Sequence, residues 1–184
     1  RLYCGTFDAG LWRIDDAGAT WQPLADSGNA QLPHQAVMSV AVSSLELGED
    51  GGVLWAGAEP SALFRSADGG RIWQELSGLQ ALPSKASRSF PPRPWTHHVR
   101  WIEPDATVAS RIFVGIELGG VMRSLDGGQS WEDRKPHSQY DCHTLCTHPA
   151  EPGVIYEAAG GGFAESKDGG HTWRRDDRGR RYHY

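Results

Sequence analysis

The chain has 184 residues, with 18 Lys plus Arg against 23 Asp plus Glu and a formal net charge of −5. Its 23 Gly, 8 Trp and 2 Met exclude a coiled coil, which needs Ala, Glu, Lys and Leu in heptads. The aromatic content argues against disorder. The acidic balance gives no general nucleic-acid footprint, and no apolar run reaches the ~20 residues of a membrane-spanning helix.

In chain order the sequence reads as short strands joined by glycine turns. An apolar-aromatic strand at residues 2–5 is followed by a turn at 14–21. A β-type run at 37–44 leads to a second aromatic strand at 54–57, a strand at 62–65 and a turn at 66–73. A Pro-rich link over 77–96 is longer than most connections. The order then repeats: a run at 98–102, an aromatic strand at 112–115, a strand at 121–123 and a turn at 124–131. After a link at 135–142 come a run at 142–147, an aromatic strand at 155–158 and a turn at 166–173. Each turn matches Ser-x-Asp-x-Gly-x-Thr/Ser-Trp, with Ile14 replacing Ser in the first copy and Ile72 replacing Thr or Ser in the second. The aromatics Tyr3, Trp55, Phe113 and Tyr156 precede the turn tryptophans by 18, 18, 18 and 17 residues. Two motifs holding that spacing four times define a repeat of four strands, the pattern of a β-propeller blade.

The predicted fold is therefore all-β: a propeller of four-stranded antiparallel blades, about four of them present. The blades fall at about residues 1–30, 31–80, 95–136 and 137–180. The first lacks an inner strand, so the chain reads as a slice of a longer propeller. In each turn Asp16, Asp68, Asp126 or Asp168 can accept hydrogen bonds from N–H groups two or three residues on. Gly18, Gly70, Gly128 and Gly170 supply positive φ. Trp21, Trp73, Trp131 and Trp173 cover apolar surface beside the turn. All twelve are expected to be structural. So are Arg13, Arg65 and Arg123, which recur just before the turns and suit pairing with nearby acids. Cys4, Cys142 and Cys146 are an odd set, and the last two lie in one strand at roughly 13 Å. Packed, reduced thiols are expected rather than a disulfide. Together with the lack of a leader pattern, this leans towards a cytoplasmic setting without deciding it, since Arg1 need not be the natural start. The basic stretch at 174–184 reads as a solvated end.

The four turns resemble the Asp-box, or BNR, repeats of sialidase-type propellers. Those repeats also occur in xyloglucanase-type glycoside hydrolases, sortilin-type receptors and photosystem II assembly factors. The stretches 94–101, 115–124 and 140–145 resemble those of bacterial BNR-repeat proteins often labelled glycosyl hydrolase. The resemblance implies ligands over the central channel, at a mouth built from the turns between second and third strands and from the inter-blade links, with the Asp-boxes on the other side. It does not extend to sialidase chemistry, because no Arg-Ile-Pro signature occurs and the three recurring arginines, Arg13, Arg65 and Arg123, read as structural.

At the implied mouth, Glu59 and Glu117 each lie two residues after the recurring glycine, and Asp8 lies three after its own. The fourth copy offers only Gly160, Gly161 and Gly162. Glu59 and Glu117, with Asp141 from the last link, are the candidate catalytic carboxylates for glycoside cleavage, or else solvated turn acids. The links contribute Trp95, His97, His98, Tyr140 and His143 as candidate ligand-binding residues. Aligning Pro104 with Pro149 puts His98 and His143 at one position of successive inner strands. Trp101 reads as core. His97, His98, His143 and Asp141 have metal-donor chemistry, but no dedicated spacing such as His-Glu-x-x-His, so neither a metal nor another cofactor is assigned. The preferred function is a carbohydrate- or protein-binding scaffold. The alternative is a glycoside hydrolase using the mouth carboxylates.

Overall fold

The computed structural model describes residues 1–16, 18–24, 32–91 and 96–176. The first sheet holds β1 (Leu2–Gly5), β2 (Leu11–Ile14) and β3 (Trp21–Pro23). The second holds β4 (Val37–Gly48), β5 (Gly51–Ala58), β6 (Ala62–Ser66) and β7 (Gln74–Glu75). β8 (Val99–Pro104), β9 (Ile112–Ile116) and β10 (Gly120–Ser124) make the third. β11 (Cys142–Thr147), β12 (Ile155–Ala159), β13 (Gly162–Ser166) and β14 (Arg174–Asp176) make the fourth. Every pairing is antiparallel between chain neighbours.

The period-2 alternation of a strand gives each sheet two apolar faces, one for each neighbour. On β9, Ile112, Val114 and Ile116 meet Trp55 and Leu63 of the second sheet and Leu76 just after it. Phe113, on the opposite face, joins Cys142, Leu145 and Ile155 of the fourth. Fully burying such a side chain contributes about 1.5–3 kcal/mol, so these contacts between sheets are the main cohesion of the fold. The recurring strand glycine lets the next inner strand come close. A Cβ on Gly115 would lie 2.6 Å from Cys142 Sγ, and Gly5 and Gly57 meet Val37 and Val99 in the same way.

The four Asp turns lie at the opposite end of the sheets from the turns between second and third strands. Asp68 Oδ1 accepts from Arg71 N and Ile72 N at 2.9 Å, and Asp126 and Asp168 accept from Ser130 N and Thr172 N. The donors are three and four residues on, not two or three, because Ser66, Ser124 and Ser166 close the inner part of the turn by accepting from Gly70, Gly128 and Gly170 N–H. Gly128 has φ +88°, and a Cβ there would strike Leu76, just after the last strand of the preceding sheet, so this turn also staples one blade to the last. Trp131 and Trp173 are buried, whereas Trp21 is exposed. Arg13, Arg65 and Arg123 pair with Asp15, Glu46 and Glu132 at 2.8–3.0 Å.

Some expectations need correction. The third sheet has three strands, since the segment after Trp131 is reduced to a single bridge between Arg123 and Glu132. The link over 77–96 contains two 3-10 turns, Ser77–Ala81 and Pro83–Ser87. Of the three free thiols only Cys142 is buried. Trp101 is 37% exposed rather than core, because the register sets it opposite Gly115, which has no side chain to cover it.

Candidate functional site

The inner strands β4, β8 and β11 each carry a bulge one residue in: the register shifts between Val37 and Ser39, Val99 and Trp101, and Cys142 and Thr144. The bulges make Val37, Val99 and Cys142 equivalent. His98 therefore matches Asp141, and Arg100 matches His143. The alignment on Pro104 and Pro149 is corrected by two residues, since Pro104 faces Ile112 as Thr147 faces Ile155. A bulge re-aims the side chain beside it, and here it turns residues from both positions towards one place.

That place lies where the turns after β5 and β9 meet the entries to β8 and β11. His98, 1% exposed, stands between the two glutamates: its Nε2 is 2.6 Å from Glu117 Oε2 and its Nδ1 is 3.6 Å from Glu59 Oε2. Phe90 packs on the His98 ring edge-on, with centroids 5.2 Å apart. Glu117 continues the chain. Its Oε2 lies 3.8 Å from an Arg100 guanidinium nitrogen, and its Oε1 lies 3.8 Å from His143 Nε2. His143 Nε2 is in turn 3.3 Å from Asp141 Oδ1. Side-chain exposure is lowest at His98, 2%, with Glu59 at 7%, and rises outward through 13% at Glu117 to 22% at His143 and 29% at Asp141. The result is a polar wire with a sealed inner end and an open outer one. One donor atom each from Glu117, Asp141 and His143 falls within 4.8 Å of the others.

Other candidates sit apart. The Tyr140 hydroxyl donates to Ser87 O at 2.7 Å, and the Arg134 guanidinium lies 5.1 Å from its ring centroid, so Tyr140 binds the link over 77–96 to the third sheet. His97 lines a separate cleft of about 570 Å³ with Lys85, Arg88 and Ser89. Burial depresses the His97 pKa, and the charges of Arg88 and Lys85 add to that. Asp8 is exposed outside the cluster, and the two-residue turn after β12 brings only Gly160 and Gly161. Trp95 lies outside the described residues.

Sequence reasoning missed two groups. Arg100 was legible only through the bulge. Glu157 occupies the strand position of Cys4, Ala56 and Val114, so a carboxylate in an apolar series was the available signal. It is fully buried between the third and fourth sheets and accepts from Gln139 N at 2.9 Å. Burial raises its pKa from 4.5 to about 7, against the pull of the Gln139 N–H, the Cys142 thiol and the charge of Arg175. The Cys142 thiol is pushed well up by burial, then by the Glu157 charge.

No family model matches the chain, and no curated protein does. Solved structures do match. An ancestral GH74 enzyme superposes with TM-score 0.69 at 17% identity, over 95% of this chain and 22% of that one. The GH74 xyloglucanase from Xanthomonas campestris gives 0.65 at 18% identity, over 97% and 29%. YCF48 bound to D1 peptide gives 0.53 at 17% identity, over 78% and 40%. The chain is a partial β-propeller. It spans well under half the length of each of these propellers, and at such identities the likeness speaks for the fold alone.

Proposed function

We propose that this propeller belongs to the Asp-box, or BNR, type and acts as a ligand-binding scaffold, with a carbohydrate as the ligand at its mouth. The observation that carries this reading is the graded wire from Glu59 to Asp141. His98 fills the space between Glu59 and Glu117, so a glycosidic oxygen has no room between that pair. The outer groups Glu117, Asp141 and His143 present acceptors and an imidazole, which suit the hydroxyls of a sugar. The inner pair holds Glu117 in place, as a rigid second layer does for a binding residue. Tyr140 and Arg134 brace the rim.

One observation favours the hydrolase alternative in a modified form. The donor atoms of Glu117 and Asp141 lie within 4.8 Å, close to the about 5–5.5 Å carboxyl separation of retaining glycosidases. A glycan array and a chromogenic glycoside panel, run on wild type and Glu117→Gln, separate the two. Glycan binding without turnover, lost in the variant, supports the scaffold. Turnover lost in the variant supports the hydrolase. Neither glycan binding nor turnover in wild type sinks both.

A further inference from the structure

We propose that Glu117, Asp141 and His143 form a binding site for one divalent first-row transition metal, with Zn²⁺ as its probe. The inference is separate from the glycan reading and stands or falls without it. The three residues come from the turn after β9, the link before β11 and β11 itself, and their donor atoms meet within 4.8 Å. Metal bonds of about 2.0–2.2 Å at the tetrahedral angle put neighbouring donors roughly 3.4 Å apart. Asp141 Oδ1 and His143 Nε2, at 3.3 Å, already stand near that spacing. Glu117 Oε1, 3.8 Å from His143 Nε2, must close by about 0.4 Å.

Three further observations point to a cation. First, Asp141 Oδ1 is shielded from solvent and accepts no hydrogen bond, an expensive condition for a carboxylate oxygen unless a positive charge faces it. Second, His98 Nε2 holds Glu117 Oε2 at 2.6 Å and leaves Oε1 as the oxygen nearer His143, the outer-layer contact that orients a ligating carboxylate. Third, Arg100, 46% exposed, already sets a guanidinium 3.8 Å from Glu117 Oε2, so this carboxylate draws positive charge. One imidazole with two carboxylates is a borderline donor set that suits Zn²⁺ or Mn²⁺ better than a soft ion. Three protein ligands leave a coordination position open, and the partial exposure of all three residues gives an ion its way in.

The test is calorimetric titration of Zn²⁺ into untagged, chelator-stripped protein. One site per chain is expected. Affinity falls at least about tenfold in His143→Ala and in Asp141→Asn, and by roughly 10–100-fold in His98→Ala, which removes only the outer support. Thermal melts of the metal-free variants check folding. Should a variant misfold, Co²⁺ added to wild type decides the matter through paramagnetic broadening, expected first at the His143 ring resonances. Absence of binding, binding indifferent to both ligand substitutions, or broadening confined to other histidines overturns the proposal.

Discussion

Glu157→Gln isolates the cost of a buried acid inside a blade interface. The carboxyl is fully buried and its pKa rises from 4.5 to about 7, chiefly through burial. A raised pKa means the folded state prefers the protonated form. The stability linked to Glu157 is therefore full below about pH 4.5, declines as pH rises towards 7, and is lost above it. At about 1.4 kcal/mol per pKa step the swing is about 3 kcal/mol. Glutamine keeps an acceptor for Gln139 N and never ionises. The variant should match wild type near pH 4.5 and exceed it by up to about 3 kcal/mol at pH 8. For a domain of this size that is roughly 6–12 °C in Tm. Urea unfolding at a series of pH values from 4.5 to 8, with wild type and variant in parallel, reads the difference directly. A difference that stays constant across the series would refute the argument, because it would place the effect of Glu157 in packing rather than in its charge.

Four other perturbations follow from named contacts. Gly115→Ala drives a Cβ to 2.6 Å from Cys142 Sγ and should cost about 1–3 kcal/mol by overpacking. Gly127→Ala, at φ +73° with open space around it, should cost only the roughly 1–2 kcal/mol of a left-handed residue; thermal melts of the pair report both. Arg123→Met removes hydrogen bonds to Gly169 O at 2.7 Å and Glu132 at 2.8 Å and should lose about 2 kcal/mol in chemical denaturation. Asp168 is held at about 2 although burial opposes it, because Thr172 and Ser166 hydrogen-bond to its charged form. Its lowered pKa supports the fold above about pH 3.8 and ceases to do so as pH falls through 2, so Asp168→Asn should flatten the acid limb of a stability profile.

Much of the architecture was legible because the repeat constrains both ends of each blade at once. A constant interval from strand aromatic to turn tryptophan, with glycine where the next blade presses in, leaves little freedom for any other fold. The polar end was less legible. Spacing from prolines placed His98 beside His143 in the repeat, but Pro149 lies in the connection after β11 and a bulge sits at the start of each inner strand. A bulge inserts a residue without any compositional mark, so the true partners, His98 with Asp141 and Arg100 with His143, appear only in the register. The Glu59 and Glu117 turns were found from their glycines, yet His98, itself a candidate, was not placed between them. Glu157 stood in plain view as a charged residue in an apolar series. A short repeat leaves one position free to vary, and that freedom hid it.

The account rests on Glu117, Asp141 and His143 as the place where a ligand is held. Its most direct test is calorimetric titration of a glycan selected on the array into wild type, Glu117→Gln and Asp8→Asn, the last altering an exposed turn acid outside the cluster. The account predicts binding lost or at least about tenfold weaker in Glu117→Gln and unchanged in Asp8→Asn. Equal affinity in all three proteins would contradict it.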